Sequence, residues 1–229
     1  HSFPTRRSSD LLKNHLPYLF YNKIVCEIDE KSGRFIYESR LMLGSIVVTS
    51  QPCLDKIEVS TRTSSWIMYI KKNGLSIFED MKNISVNDDS NDTAQLLTRM
   101  ILANRLDPGS YPSVSMDLLL STLEDWLSPY LDNITTLDQL KKFKLKQPLK
   151  EIFNWKFQAD LNDLLPTHVN VPSGSKVRIS YQLEGPAVIS VRMQEVFGMT
   201  NTPMIANGKL PLLMNLLSPA NRSLQLTQD

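Results

Sequence analysis

The sequence predicts an α+β fold in which two β-rich segments flank a helical one. Apolar and polar residues alternate between residues 23 and 48, apolar residues recur at helical spacing from about residue 55 to 165, and alternation returns after Pro166. With 229 residues, 41% of them hydrophobic, the chain is long enough to bury a core. No apolar run approaches the roughly 18 residues of a membrane-spanning helix, so we expect no membrane partner.

The N-terminal segment combines an unusual start with strand-like residues. Residues 1–10 (HSFPTRRSSD) lack an initiator Met and read like a translated sequencing adapter, so we expect them to be an artefact outside the fold. Beyond them, β-branched and aromatic residues cluster in three runs that end near residue 48. Residues 29–33 separate the first two runs as a hairpin loop, with Gly33 at a position that favours a positive φ. The sequence therefore predicts a small antiparallel sheet.

The helical segment is predicted from apolar spacing and capping residues. The first helix is expected to end at Gly74, Thr93 to cap the second helix after a polar loop, and Ser115 to begin the third. The third helix has the clearest apolar stripe, made of Leu119, Leu123, Trp126, Leu127 and Tyr130. Shorter helices follow, the first capped by Thr136, until Pro166 stops them.

The C-terminal segment is predicted to be β-rich with short helices. Residues 176–183 alternate as a half-buried strand, and residues 187–192 form the next one. One helical turn is expected at residues 193–197. The Asn207-Gly208 dipeptide then predicts a hairpin before an apolar strand at residues 210–217.

Composition and motif spacing exclude several kinds of site. With 25 basic and 24 acidic residues, the chain has no overall cationic field. Cys26, Cys53 and the three histidines show no metal-ligand spacing, so no metal site is predicted. Residues 172–176 (PSGSK) approach a phosphate-binding loop, but the Lys follows the last Ser and an upstream Gly is missing. Without a Gly-x-Ser-x-Gly elbow or a partnered Cys, no catalytic residue is predicted.

The charges are distributed unevenly along the chain. Residues 11–134 carry 12 basic and 16 acidic side chains, whereas residues 135–229 carry 11 and 7. The candidates for phosphate contacts in the basic half are Lys176, Arg178, Arg192, Lys209 and Arg222. An ordinary solvated surface is the alternative, since charged side chains are normally exposed. Aromatic residues at helical spacing, such as Trp126, are expected in the core rather than in a stacking platform.

A series of segments carries a family resemblance. In chain order these segments are TLEDWLSPYL (122–131), LPTHVNVPSGSKVRISY (165–181), ISVRMQEVFG (189–198), IANGKLP (205–211), LLSPA (216–220) and QLTQD (225–229). Together they resemble the C-terminal region of the HrpB family of bacterial ATP-dependent DExH helicases. The resemblance implies a partial OB-like β unit at residues 11–53, a helical connector at 54–114 and the family's C-terminal domain at 115–229, cut short at its end.

The resemblance also implies which tasks belong to this chain. Helicases of this family have two RecA-like motor lobes, which bind ATP and magnesium and precede the matched region. The chain is therefore expected to hold no cofactor, to be inactive by itself and to act in the cytoplasm as an accessory module. Its expected partners are the motor lobes of the parent helicase and single-stranded RNA or DNA. A docking module, which packs on the motor or on an outside protein through the loops at 172–175 and 199–203, is the alternative.

Overall fold

The structure, a computed structural model, describes residues 19–82, 91–152 and 155–227. The expected adapter segment, most of the polar loop before Thr93 and the extreme C-terminus lie outside the described residues. The helices are α1 (Val59–Asn73), α2 (Asp92–Leu106), α3 (Met116–Ser121), α4 (Leu123–Trp126), α5 (Ser128–Leu131), α6 (Leu137–Lys142), α7 (Lys146–Ile152) and α8 (Trp155–Leu164). The first strands are β1 (Phe20–Asp29), β2 (Arg34–Leu43) and β3 (Ile46–Pro52). The later strands are β4 (His168–Asn170), β5 (Lys176–Ser180), β6 (Val188–Arg192), β7 (Met204–Ile205), β8 (Leu210–Pro211), β9 (Leu213–Leu217) and β10 (Ser223–Thr227).

These elements confirm the predicted α+β class and fall into two compact units. The first unit contains the described residues up to 73 together with 127–141, and the second contains 74–126 and 142–227 where they are described. Both units are discontinuous in sequence. The partition at 53/54 and 114/115 stays a prediction about family domains, since compactness groups α1 with the N-terminal strands.

The first unit is built on the predicted antiparallel sheet, in the order β1-β2-β3. Its first hairpin turns at Gly33, which has φ 68°, and the Asp29 carboxylate accepts hydrogen bonds from the backbone N–H groups of Lys31 and Ser32. Helix α1 packs on one sheet face, where the Ser65 hydroxyl donates to the Cys26 carbonyl oxygen at 2.8 Å. The sequence pattern predicted both the meander and its turn.

Trp66 of α1 forms the centre of the first unit. Its side chain is fully buried, its ring meets Phe35 edge-on at 4.7 Å between centroids, and its Nε1–H donates to the Ile134 carbonyl oxygen at 2.9 Å. The helix ends at Asn73, directly before Gly74, which has φ 79°. The predicted helix end is therefore confirmed, because only a residue that tolerates a positive φ fits the next position.

The N-terminus of α2 differs from the prediction. Asn91, not Thr93, caps this helix: its side-chain oxygen accepts hydrogen bonds from the backbone N–H groups of Thr93 and Ala94, both at 3.1 Å. The Thr93 hydroxyl instead donates to buried Asp80 at 2.7 Å. Asp80 also accepts the backbone N–H of Leu145, so one carboxylate joins the start of α2 to the residue before α7. Thr93 could not be the cap because this distant acid engages its side chain.

The third predicted helix is broken in the structure. Ser115 does cap it, since its hydroxyl accepts the Leu118 N–H at 3.1 Å. The helix then stops at Thr122 and again near Leu127, and the chain continues as three short helices instead of one. Pro129 lacks a backbone N–H, so it sits in the first turn of a new helix rather than inside a long one. Most of the predicted stripe is buried all the same, and the Trp126 indole N–H donates to the Leu119 carbonyl oxygen at 3.0 Å.

The second unit carries a mixed five-stranded sheet in the order β10-β9-β6-β5-β4. The β6–β9 pair is parallel and the other pairs are antiparallel. Asn207 and Gly208 have positive φ in the turn between β7 and β8, as the hairpin signal predicts. Strand β5, however, ends at Ser180 rather than at Leu183. The backbone N–H and carbonyl of the next residue, Tyr181, pair with the Gln95 side chain at 2.8 and 3.2 Å, so a helix side chain replaces the neighbouring strand.

Candidate nucleic-acid interface

The exposed side of the C-terminal sheet collects three of the five predicted cations. Ile179 of β5 and Ile189 of β6 are register partners, and both are buried on the core side. Because side chains alternate along a strand, Lys176, Arg178 and Arg192 lie on the opposite side, and all three are exposed. We define the basic sheet face as these three residues together with Arg222, which lies in the neighbouring β9–β10 turn.

The β9–β10 turn, which holds Arg222, contacts Arg192 through Asn221. Within the turn, Ser218 and Arg222 pair through their backbones at 2.8 Å, and Asn221 adopts φ 59°. The Asn221 side-chain oxygen accepts a hydrogen bond from Arg192 Nε at 3.0 Å. Arg192 is thus held by a neutral partner, and the residue after that partner in the sequence is a second exposed arginine, Arg222. This end of the sheet is suited to contact phosphates.

Arg178 and Lys146 converge on Asp92 at the other end of the face. Arg178 Nη2 lies 2.7 Å from Asp92 Oδ1, and Lys146 Nζ lies 2.5 Å from Asp92 Oδ2. The hydrogen bonds from Lys146 and then Arg178 lower the pKa of the Asp92 carboxyl below its usual value. All three side chains are between two-fifths and one-half exposed, so the cluster is accessible to solvent.

Neutral polar residues surround the cations on this face. Across the β4–β5 pair, Asn170 is the partner of Lys176 and His168 is the partner of Arg178. Further along, the Asn215 amide donates to the Ser190 hydroxyl at 3.2 Å. Among the described strand residues on this side of the sheet, there is no Asp or Glu. The strands of the face are therefore basic because they carry cations and no carboxylate, and the acid that pairs with Arg178, Asp92, comes from α2.

The loop at 172–175 does not form a phosphate cradle. Gly174 has φ 86° in a tight turn closed by Gly174 N to Val171 O at 2.8 Å, and the chain continues into a strand rather than a helix. The Ser175 hydroxyl is engaged by Glu195 at 3.2 Å. A nucleotide-binding loop needs a helix N-terminus behind it, which this loop lacks.

Lys209, the fifth predicted cation, lies apart from the face. It occupies the β7–β8 hairpin, which is a separate two-stranded sheet. Its charge contributes, after several hydrogen bonds led by Ser110, to lowering the pKa of Asp107. Because side chains alternate along β5 and β6, the sequence can predict which of their residues share the basic sheet face. No local sequence pattern shows whether a lysine in a hairpin, such as Lys209, belongs to that face.

Sequence reasoning missed Arg99 in this region, and it counted Lys146 among the cations of the basic half without selecting it as a phosphate contact. Arg99 is 5% exposed, and its Nε donates to the Leu165 carbonyl oxygen at 2.7 Å. In the sequence Arg99 is a cation among the apolar residues of α2, between Leu96 and Met100. That position was the available signal, because a charged residue inside a buried stripe needs a specific reason to be there.

Other kinds of site are not seen among the described residues. No cluster of three or more His, Cys, Asp or Glu side chains is arranged to hold a metal ion there. In the same residues no helix combines the length and the apolar character that crossing a bilayer requires. Cys26 is buried and Cys53 half-buried, and both are free thiols.

The chain is similar to known helicases over nearly its whole length. The family described as ATP-dependent helicase C-terminal (HrpB_C) matches residues 126–229, which include the basic sheet face. The ATP-dependent RNA helicase HrpB of Escherichia coli (strain K12) is 34% identical over 221 residues, covering 96% of this chain and 26% of that protein. The crystal structure of the E. coli DExH-box NTPase HrpB superposes with a TM-score of 0.71 at 33% identity, over 96% of this chain and 26% of that one.

A second crystal structure, of the E. coli DEAH/RHA helicase HrpB, gives a TM-score of 0.69 at 32% identity and covers 92% of this chain and 26% of that one. The chain thus spans about a quarter of the length of the relatives it matches. The sequence comparison and the structural comparison both find E. coli HrpB, and the residues that match the family include the C-terminal sheet. The chain is homologous to the C-terminal region of the bacterial ATP-dependent helicase HrpB.

Proposed function

We propose that this chain is an accessory, non-catalytic module of an ATP-dependent helicase and that it helps to position single-stranded nucleic acid beside the motor. The basic sheet face carries the proposal. Lys176, Arg178 and Arg192 are exposed on one side of adjacent strands, Arg222 lies in the next turn, and the described strand positions on that side include no carboxylate. Such a surface attracts a polyanion and releases its counterions.

The composition of the face favours contacts to the phosphate backbone rather than to bases. Stacking on bases needs exposed aromatic rings, and the described strand residues of the face include none beyond His168. Trp126, an aromatic of the same unit, is buried in the core. We therefore expect binding that depends weakly on sequence and strongly on salt. Single-stranded RNA is the first probe, because the related E. coli protein is called an RNA helicase.

In this proposal, ATP is bound and hydrolysed by other parts of the helicase. ATP and magnesium would be bound by RecA-like motor lobes, and the partner of this module is that motor within the parent protein. None of the residues described here is assigned a role in ATP hydrolysis, and the 172–176 loop is built as a strand turn. The module would work in the cytoplasm, where such a helicase meets its nucleic acid.

The test is fluorescence anisotropy of a labelled single-stranded RNA titrated with the full chain at several salt concentrations. Wild-type protein should bind saturably, and its affinity should fall steeply as salt rises. The double variant Lys176→Gln/Arg192→Gln should lose about ten- to hundredfold in affinity at low salt. Its logarithmic salt slope should fall by about 1.4, or about 0.7 for each phosphate contact on a single strand. A single-stranded DNA of the same sequence shows whether the sugar matters.

The matched control removes the same charge from the other sheet. Lys23→Gln/Arg40→Gln alters two register partners on β1 and β2 and should change RNA affinity less than twofold. If both double variants weaken binding equally, the basic sheet face has no special role. If wild-type protein does not bind RNA at low salt, the function shifts to a protein-docking module, for which salt dependence is weak.

A further inference from the structure

A cationic cleft lies between α2, α7, α8 and the β4–β5 pair. Two depressions of about 240 and 270 Å³ adjoin there and share Arg99, Lys146 and Thr167 on their walls. We call them together the Arg99 cleft. The charged side chains that line it are Asp92, Arg99, Lys146, Lys150 and Arg178. One carboxylate thus stands against four cations, in a chain whose net charge is only +1.

Arg99 is the unusual member of this set. Its guanidinium is buried, yet it donates to neutral acceptors: the carbonyl oxygens of Leu165 at 2.7 Å and Leu161 at 3.4 Å, and the amide oxygen of Asn162 at 2.6 Å. Burial lowers the pKa of the Arg99 guanidinium. Among the described residues no carboxylate pairs with it.

Leu161 and Asn162 belong to the last turns of α8 and Leu165 directly follows the helix, so a structural role as a helix cap explains part of the arrangement. A helix C-terminus offers only about half a negative charge. Burying a full charge against that partner is unfavourable unless an anion completes the site. The cap therefore accounts for where the guanidinium points, but not for why three further cations gather around it.

Asp92 shows that the cations can converge on one oxyanion. Its Oδ2 lies 2.5 Å from Lys146 Nζ and its Oδ1 lies 2.7 Å from Arg178 Nη2, so each oxygen has its own cation. Both donors keep further N–H groups, since an ammonium has three and a guanidinium five. The carboxylate thus organises these two donors and neutralises only one of the four positive charges that line the cleft.

We infer that the Arg99 cleft binds a phosphate group beside Asp92, with Arg99, Lys146 and Arg178 as its donors. A phosphate carries up to two negative charges and several acceptor oxygens, which matches the excess of three positive charges on the walls better than a second carboxylate does. The phosphate could be part of a nucleic-acid chain or a free ion, because both present the same oxygens. The site is separate from the basic sheet face except for Arg178.

The experiment titrates the full chain with inorganic phosphate at constant ionic strength and follows amide shifts by NMR, which also locates the response. Lys146→Gln should weaken phosphate binding about five- to tenfold, since it removes one charge-assisted donor. Asp92→Asn should tighten binding about three- to tenfold, because the competing negative charge is gone. Lys23→Gln, which removes an exposed lysine from β1 of the other unit, is the matched control and should leave phosphate affinity unchanged. Arg99 is left intact because its loss endangers the fold.

Opposite effects of Lys146→Gln and Asp92→Asn on phosphate affinity support the site. Equal effects of Lys146→Gln and Lys23→Gln would instead mean that the attraction is nonspecific. No saturable shift in either wild type or Asp92→Asn would overturn it.

The source of the phosphate follows from RNA binding by the same variants. If Lys146→Gln lowers RNA affinity too, the cleft takes a backbone phosphate; if RNA affinity is unchanged, it takes a free ion. A failed RNA titration with a successful phosphate titration rejects the proposed function and keeps this one.

Discussion

The two sheets of the protein carry similar charged residues and use them differently. On the outer side of β1 and β2, the cations Lys23, Arg34 and Arg40 face the carboxylates Glu27, Asp29 and Glu38. Arg40 there contacts both Glu38, at 2.5 Å, and Glu27, at 3.4 Å. On the exposed side of the C-terminal sheet, the described strands carry three cations and no carboxylate. The first sheet is therefore internally neutral, while the second has positive charge left over.

The difference shows that an exposed arginine on a strand does not indicate a binding surface by itself. Ionic contacts with Glu38 and Glu27 raise the pKa of Arg40, so its charge is already used within the sheet. The Arg192 guanidinium instead donates to the neutral side chain of Asn221, and no carboxylate of the described residues forms an ion pair with it. The two arginines therefore differ in the charge of their neighbours: Arg40 contacts carboxylates, whereas Arg192 contacts a neutral amide.

The largest effect is expected in the cores. Trp66→Ala should lower the free energy of unfolding by about 3–5 kcal/mol, since it empties a fully buried site and leaves the Ile134 carbonyl without its donor. Trp126→Ala should also cost about 3–5 kcal/mol, at the lower end of that range, because Trp126 is slightly exposed and its hydrogen bond is local. Urea unfolding followed by circular dichroism measures both. Near-neutral values would refute the assignment of these tryptophans to the cores.

The next effect concerns how each sheet completes its hydrogen bonds. Strands β1 to β3 pair with one another, whereas the end of β5 depends on the Gln95 side chain. Gln95→Ala should cost about 2–4 kcal/mol, because the buried N–H and carbonyl of Tyr181 both lose their partner. Gln139→Ala is the control: this exposed amide accepts the backbone N–H groups of Thr135 and Thr136, which water can satisfy. Equal losses in urea unfolding would contradict the assigned role of Gln95.

A smaller effect tests whether charge balance alone separates the two faces. Glu27→Gln/Glu38→Gln leaves Lys23 and Arg40 without carboxylate neighbours on the first sheet. RNA affinity at low salt should then rise about two- to fivefold, as each unpaired cation adds a phosphate contact. Arg34 and Asp29 are unchanged, so the hairpin turn stays intact. An unchanged affinity would mean that the arrangement of the C-terminal cations matters as much as their number.

Features set by neighbouring residues could be predicted from the sequence. The alternation of β5 and β6 placed Lys176, Arg178 and Arg192 on one side, and Asn207-Gly208 and Gly74 marked their turn and helix end. The errors have long-range causes. Asp80 engages Thr93 and so leaves the cap to Asn91, and Gln95 shortens β5 from 86 residues away. The cation cluster around Asp92 likewise joins segments 54 and 86 residues distant, which no local pattern can bring together.

The smallest effect is the pH dependence that Asp92 contributes to the second unit. Hydrogen bonds from Lys146 and Arg178 lower the pKa of the folded carboxyl below its usual value of 3.8. The stabilisation is therefore fully present above about pH 5 and is lost as pH falls through the folded pKa, when the unfolded chain binds the proton more readily. Because Asp92 is about half exposed, it amounts to less than about 1 kcal/mol. Asp92→Asn should thus be slightly less stable than wild type at pH 7, and urea unfolding at pH 3 should show the two proteins converging. A difference that persists unchanged at pH 3 would show that the ion pairs with Lys146 and Arg178 contribute nothing to folding.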